Sequence, residues 1–188
     1  MRIWRTIRFA FWYSLTGFTV RGPAGRGQLY SPSVATRRGL LFVCLGNICR
    51  SPLAEGVFAH LASEAGRGAA YRVDSAGTGA YHAGEPPDPR SADVARRHGV
   101  RLRGRARKVR RQDFEDFDLI IAMDGQNHRD LLRACPAPLQ GKVRLLREWD
   151  PEGPGDVPDP YYGGPGGFET VYGIVRRCCE ALLAELEA

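Results

Sequence analysis

The fold is decided by one stretch of the chain, Leu40-Leu41-Phe42-Val43-Cys44-Leu45-Gly46-Asn47-Ile48-Cys49-Arg50-Ser51-Pro52. Its first four residues form a continuous apolar run, which is typical of a strand buried on both faces of a parallel sheet. A loop containing Gly46 follows. Pro52 is then expected in the first turn of a helix, with Ser51 as the N-cap. The stretch therefore predicts a strand, a tight loop and a helix in immediate succession.

The rest of the chain repeats this alternation. Three further strands are predicted at residues 71–76, 119–123 and 143–146. Further helices are predicted at residues 90–98, 126–134 and 168–186, and a surface loop rich in Pro and Gly at residues 150–167. This order predicts a three-layer α/β/α fold with a four-stranded parallel sheet. Because ligands bind beyond the carboxyl ends of parallel strands, the loop after the first strand is the expected binding site.

Residues 1–38 form a basic N-terminal extension that differs from the remaining 150 residues. The chain has a formal net charge of +6, but seven arginines and no acid lie in the extension, which leaves 20 basic and 21 acidic residues elsewhere. This near balance argues against a nucleic-acid partner. The apolar stretch at residues 9–20 is too short to span a membrane, although it has the outline of a signal peptide. We expect a disordered leader, or a true start further along, for example at Val34.

The five cysteines are Cys44, Cys49, Cys135, Cys178 and Cys179. An odd count, with two of the five adjacent, does not fit a disulfide framework and favours reduced thiols in the cytoplasm. Neither the cysteines nor the four histidines show the spacing of metal ligands, so we expect no metal and no cofactor. Cys135, Cys178 and Cys179 are expected to be packing or surface residues.

The spacing Cys-x5-Arg between a strand and a helix indicates a phosphate-binding loop. Backbone N–H groups of such a loop point inward, and the helix N-terminus adds partial positive charge. Arg50 can bind two phosphate oxygens at once, and the same positive field favours the nucleophilic thiolate of Cys44. Gly46 permits the turn, and Asn47 can bridge loop groups or adopt a left-handed conformation. Ser51 can donate a hydrogen bond to the sulfur.

A thiolate that attacks phosphorus needs a proton donor for the leaving group. Asp159 is the best candidate, since it lies in a loop beside Tyr161 and Tyr162, which could flank an aromatic leaving group. Asp150 and Asp156 compete with it on sequence alone. Asp124, near the end of the third strand, is expected to be structural rather than directly involved in chemistry.

Four separated motifs resemble those of the low-molecular-weight protein tyrosine phosphatase family. They are residues 43–52, Ser75-Ala76-Gly77-Thr78, Ala122-Met123-Asp124 and Asp159-Pro160-Tyr161. The resemblance covers residues 39–188 and implies a flavodoxin-like sheet.

The resemblance also assigns roles. It implies Cys44 as nucleophile, Arg50 as phosphate clamp and Asp159 as general acid and then general base. The phosphate would be bound by the loop residues Leu45, Gly46, Asn47, Ile48, Cys49 and Ser51. Cys49 is either the thiol that traps oxidised Cys44 as a disulfide or a packing residue. Tyr81 would form one wall of the cleft, and Tyr161 or Tyr162 the other.

One departure concerns Gly104, at a position where many members carry a histidine that braces the phosphate loop. The resemblance therefore does not carry the histidine brace over to this chain, and Ser75 is the residue that can still reach Asn47. A second open question is the segment from Arg90 to Arg111, which carries ten basic residues. It is either a solvated face or a docking patch for an anionic partner.

These residues favour a phosphotyrosine phosphatase that acts on phosphotyrosine proteins, a tyrosine kinase among them, as a monomer or weak dimer. Arsenate reduction is a rival, but it needs further thiols close behind the nucleophile and typically lacks the Asp-Pro-Tyr loop. Phosphoarginine hydrolysis is another, although members with that activity tend to carry Thr at the position of Ile48. A non-catalytic phosphate-binding module would not need to retain Cys44 and Asp159.

Overall fold

The computed structural model describes residues 37–164 and 166–188, and its centre is a parallel sheet. The four strands are β1 (Arg38–Cys44), β2 (Tyr71–Gly77), β3 (Leu119–Ala122) and β4 (Val143–Leu145). All pairs are parallel and the order is β2-β1-β3-β4, so β1 has a neighbour on each side. The predicted fold is thereby confirmed. The expected N-terminal extension lies outside the described residues, apart from its last two positions.

Five α-helices lie in the described part of the chain and flank the sheet. They are α1 (Arg50–Glu64), α2 (Pro89–Arg97), α3 (Asp113–Asp116), α4 (Gly125–Ala134) and α5 (Gly167–Glu187). The sequence patterns predicted all of them except α3, which is a single turn. Within the described residues, no helix is both long and apolar enough to cross a membrane.

The residues of β1 alternate between two apolar cores, one on each face of the sheet. Leu40 and Phe42 pack into the core formed with α1 and α5, whereas Leu41 and Val43 pack into the core that contains Phe114 and residues of α4. These four side chains of β1 are fully buried. Burial of each contributes roughly 1.5–3 kcal/mol, so the strand that leads into the loop is firmly anchored.

The start of α1 differs from its prediction. The helix begins at Arg50, so Cys49 occupies the N-cap position and makes no side-chain cap hydrogen bond. Ser51 therefore lies inside the first turn, and the prediction that it caps the helix is wrong. Its hydroxyl is engaged instead by the loop, next to Cys44. The first N–H groups of the helix therefore have no capping side chain at Cys49.

The loop before α5 is anchored by Asp150. This carboxylate is buried and binds the guanidinium groups of Arg147 and Arg177, at 2.7 Å in each case. The two arginines hold the pKa of Asp150 well below its usual range. Because Arg177 lies on α5, the ion pairs fix the start of the 150–166 loop to the helix that closes the domain.

Candidate active site

The candidate site lies at the carboxyl end of β1, between the strand and the start of α1. Segments from both neighbouring strands enclose the loop. Thr78 N–H donates to the carbonyl of Cys44 at 2.8 Å, and Gly79 N–H donates to that of Leu45 at 2.9 Å. On the other side, Met123 N–H donates to the carbonyl of Val43 at 3.0 Å. The central position of β1 therefore places the loop where three strands can supply side chains.

Cys44 is almost completely buried, with 3% of its surface exposed. Its sulfur accepts a hydrogen bond from the Asn47 N–H at 3.3 Å and lies 3.1 Å from the hydroxyl of Ser51. Both groups can donate to a thiolate, and such donors stabilise the negative charge on sulfur. The expected contact between Ser51 and the sulfur is thus present.

Asn47 braces the loop from inside. Its backbone has a left-handed conformation (φ +57°), as the sequence suggested. Its side-chain nitrogen donates to Ser51 Oγ and Ser75 Oγ, both at 2.9 Å, and its oxygen accepts from the Arg107 N–H at 2.9 Å. The loop is therefore tied to α1, β2 and the segment after α2, although Gly104 provides no side chain there.

Behind this brace lies the carboxyl of Glu55. It accepts a hydrogen bond from Ser75 Oγ at 2.6 Å, while Ser75 Oγ itself accepts from Asn47. Burial raises the pKa of Glu55 to about 7, the Ser75 hydrogen bond opposes this, and the charge of Asp74 adds to it. The carboxyl therefore changes its charge close to neutral pH, one hydrogen bond away from the loop brace.

Arg50 is held by three groups on the far side of the loop. Its Nη1 donates to Asp124 at 2.6 Å and to the Val157 carbonyl at 3.1 Å, and its Nη2 donates to Asp159 at 2.8 Å. The Arg50 side chain is 4% exposed. Asp124 also caps α4 by accepting from the Asn127 N–H at 2.7 Å. Asp124 therefore caps α4, which is the structural role that the sequence suggested. It also binds the arginine of the phosphate loop, which the sequence did not suggest.

The three candidate acids are separated by their surroundings. Asp159 faces the cavity with Cys44 and Arg50 and keeps a half-exposed side chain. Asp150 is enclosed by Arg147 and Arg177 and does not line this cavity. Asp156 accepts from the Gly125 N–H at 2.8 Å, at the start of α4. Only Asp159 combines access to the cavity with contact to the arginine of the loop.

A cavity of about 360 Å³ opens above the loop. Its lining comprises Cys44, Leu45, Gly46, Ile48, Cys49, Arg50, Tyr81, His82, Asp159, Tyr161 and Tyr162. All three expected wall tyrosines are therefore at the cavity. The rings of Tyr161 and Tyr162 meet edge to face at 4.8 Å between centroids.

Sequence reasoning missed two residues of this wall. His82 lines the cavity and lies 6.4 Å from Tyr161 between ring centroids. Arg90 donates to the Tyr161 carbonyl at 3.2 Å and lies 5.2 Å from the centre of its ring. His82 could have been found from the sequence, because it is adjacent to Tyr81, which was predicted to line the cleft. The sequence held no signal for Arg90, because its partner Tyr161 lies 71 residues away.

Cys49 also lines the cavity, and its thiol is buried. Burial, together with the charges of Asp88, Cys44 and Asp159, raises its pKa to about 12. It therefore remains a thiol at neutral pH. All five cysteines are free, and the other three are buried in the apolar cores rather than at the cavity.

A parallel sheet whose first loop presents a buried cysteine, an arginine and a facing aspartate has the features of a cysteine-dependent phosphatase. The model of the family described as "Low molecular weight phosphotyrosine protein phosphatase" matches residues 39–188, and the chain belongs to this family.

Individual relatives and solved structures agree with this family assignment. The human low molecular weight phosphotyrosine protein phosphatase is 44% identical over 152 residues, covering 78% of this chain and 94% of the human one. A protein tyrosine phosphatase structure from Entamoeba histolytica superposes with a TM-score of 0.78 at 41% identity, covering 80% of this chain and 97% of that one. A Drosophila arginine phosphatase superposes with a TM-score of 0.73 at 34% identity, covering 79% and 98%.

Proposed function

We propose that this enzyme hydrolyses phosphotyrosine in proteins, with Cys44 as nucleophile, Arg50 as phosphate ligand and Asp159 as general acid and base. One observation carries the proposal: the sulfur, the guanidinium and the carboxyl face a single cavity with aromatic walls. The names of the human and Entamoeba relatives support the same substrate class.

In the first step the Cys44 thiolate attacks phosphorus, a sulfur–phosphorus bond forms and the phosphorus–oxygen bond to tyrosine breaks. Asp159 gives its proton to the departing phenolate oxygen. In the second step the Asp159 carboxylate accepts a proton from water, the water oxygen attacks phosphorus, and phosphate leaves with the thiolate restored. Loop N–H groups and Arg50 stabilise the charge on the phosphoryl oxygens in both steps.

The contact between Arg50 and Asp159 has a mechanistic consequence. Nη1 of Arg50 donates to both Asp124 and the Val157 carbonyl, and Nη2 donates one of its two N–H groups to Asp159 at 2.8 Å. The Nε–H and the second Nη2–H of Arg50 therefore remain for two-point binding of a phosphoryl group. Asp159 stays beside the bound phosphate, and its half-exposed side chain can turn toward the leaving-group oxygen.

The walls favour an aryl substrate. Tyr81 is 77% exposed and Tyr162 is 94% exposed, so both rings are accessible to a substrate. Together with Tyr161 they line the cavity. A flat phenyl ring in contact with these tyrosines gains offset or edge-to-face contacts that an aliphatic phosphoester cannot make.

The decisive experiment measures turnover of an aryl phosphate by purified protein. Cys44→Ser is expected to abolish turnover, and Asp159→Ala to reduce kcat by roughly 10²- to 10⁴-fold while phosphate still binds. Asp156→Ala is the matched control, because it removes a carboxylate from the same loop that does not face the cavity. Full activity in Cys44→Ser would end the proposal.

Phosphoarginine hydrolysis is the rival with a specific observation behind it, the similarity to an arginine phosphatase. Ile48 lines the cavity here and favours phosphotyrosine. Phosphotyrosine and phosphoarginine peptides offered side by side decide between them, and a preference for phosphoarginine would overturn our assignment. For arsenate reduction, no third thiol lines the cavity within the described residues.

Protein partners and location follow from this proposal. Substrates would be phosphotyrosine proteins, a tyrosine kinase among them, met by an enzyme that is a monomer or weak dimer. A cysteine nucleophile must stay reduced, and five free cysteines are consistent with a cytoplasmic setting. We assign the catalytic domain to residues 39–188 and leave the basic extension, residues 1–38, outside it.

A further inference from the structure

A strip of basic side chains follows α2. Residues 101–111 include seven basic residues and no acid. Six of these side chains are exposed and form what we call the basic strip: Arg101, Arg103, Arg105, Lys108, Arg110 and Arg111. Within residues 37–164 and 166–188, none of the six makes an ion pair. Arg105 alone makes a side-chain hydrogen bond, to the Gly84 carbonyl at 2.7 Å.

The neighbouring arginines behave differently. Arg90 pairs with Asp88, Arg96 with Asp93, and Arg97 with Glu169. Arg107 pairs with two carboxylates and supports the loop brace through its backbone. The segment from Arg90 to Arg111 thus divides into an internally neutralised part and the basic strip. Clustered like charges repel, and an anion bound nearby relieves that repulsion.

The backbone between the strip residues is hydrogen-bonded to the segment that lines the cavity. Gly77 N–H donates to the Arg107 carbonyl at 2.8 Å, Val109 N–H donates to that of Gly77 at 2.9 Å, and Gly84 N–H donates to that of Ala106 at 2.8 Å. These bonds join residues 106–109, which lie among the strip residues, to both ends of residues 77–84, which carry Tyr81 and His82.

This arrangement places positive charge at a short reach from the cavity. The Arg105 guanidinium contacts Gly84, which lies two residues from the cavity-lining His82, or at most about 7 Å along the chain. An extended peptide advances about 3.3 Å per residue. Side chains roughly two to five residues from a phosphotyrosine in the cavity would therefore reach the strip.

We propose that the basic strip binds acidic side chains that flank the phosphotyrosine of the substrate. The inference rests on the proposed phosphotyrosine phosphatase activity and adds a substrate class to it. An acidic peptide fits better than a nucleic acid, because residues 39–188 have 20 basic and 21 acidic residues, and the strip is a short segment hydrogen-bonded to residues 77–84 rather than an extended basic face. Such contacts act mainly on capture of the substrate, so kcat/KM reports them.

The test compares two phosphotyrosine peptides of the same length, one with glutamates and one with glutamines at the flanking positions. Wild-type enzyme is expected to favour the glutamate peptide by roughly 3- to 10-fold in kcat/KM, as two or three exposed charge contacts allow. The preference should shrink as salt is raised from 0.02 to about 0.5 M.

The variant Arg105→Glu/Lys108→Glu is expected to bring the ratio between the two peptides to about one or below. The double variant Arg144→Glu/Arg176→Glu makes the same change of net charge at two arginines outside the strip, which are 45% and 50% exposed, and should leave the ratio unchanged. The ratio is insensitive to partial unfolding, because both peptides meet the same active fraction.

Three outcomes would overturn the proposal: equal kcat/KM for both peptides in wild type, an unchanged ratio in the double variant, or strip-dependent binding of short duplex DNA or anionic vesicles without a peptide preference. Failure of the proposed activity is seen separately, as absence of turnover by wild-type enzyme of a small aryl phosphate that has no flanking peptide.

Discussion

Replacing Asn47 with alanine removes three hydrogen bonds from the phosphate loop in one step. Two are donated to Ser51 and Ser75, and one is accepted from the Arg107 N–H. At a net value of about 1 kcal/mol each, they amount to ~3 kcal/mol. Alanine in the left-handed conformation adds about 1 kcal/mol. We therefore expect the free energy of unfolding to fall by ~3–4 kcal/mol.

Turnover should fall as well, because the same residue sets the direction of the N–H that meets the Cys44 sulfur at 3.3 Å. If about two thirds of the loss falls on the loop geometry, kcat for an aryl phosphate drops on the order of 10²-fold. Asn47→Gly is the matched control, since glycine loses the same hydrogen bonds but tolerates the left-handed backbone. The two variants should differ by about 1 kcal/mol.

Urea denaturation at pH 7 gives the free energy of unfolding, and steady-state kinetics give kcat. The reasoning would be refuted by an Asn47→Ala enzyme that keeps the wild-type kcat and loses less than about 1 kcal/mol of unfolding free energy, since roughly that much is expected from a single hydrogen bond. Equal stability of the alanine and glycine variants would show that the backbone conformation carries no strain.

Three further substitutions test other contacts. In Gly77→Ala the new Cβ would lie 2.7 Å from the Leu45 carbonyl oxygen, so we expect a displaced loop and at least a tenfold lower kcat/KM, against Gly173→Ala, where space is open, as control. Glu55→Gln should raise the free energy of unfolding at pH 8 by on the order of 1–3 kcal/mol and give no gain at pH 4.5. The reason is that the Glu55 carboxyl has a pKa near 4.5 in the unfolded chain and near 7 in the folded one, so its destabilisation of the folded state grows as the pH rises between these values. A gain in stability that is independent of pH would contradict this explanation. After brief peroxide treatment, dithiothreitol should restore activity to wild type but little to Cys49→Ser, and equal recovery would favour Cys49 as a packing residue.

The elements that carry strong local patterns were predictable from the sequence. The apolar runs of β1 and β3 identify strands buried on both faces, and the helical spacing of residues 168–186 identifies α5. The short helix α3 was not predicted, because four residues are too few for a period to show. Ser51 was predicted as an N-cap because its residue type favours that position. In the structure its hydroxyl instead accepts a hydrogen bond from Asn47 and contacts the Cys44 sulfur.

The site was predictable where it is local and unpredictable where it is assembled from distant segments. The arrangement of Cys44, Asn47 and Arg50 follows from one strand–loop–helix stretch. The contacts of Arg50 with Asp124 and Asp159 join residues 74 and 109 positions apart, and no spacing rule connects them. The brace through Ser75 and the titrating Glu55 likewise depends on how β2 packs beside α1.

The unequal burial of loop and walls bears on how this enzyme can change over evolutionary time. The strand that leads into Cys44 is fully buried between two cores, whereas Tyr81 and Tyr162 are largely exposed on surface segments. Substitutions at such exposed positions usually shift stability by less than about 0.5 kcal/mol. A lineage can therefore acquire new substrates by altering the cavity entrance while it inherits the catalyst unchanged.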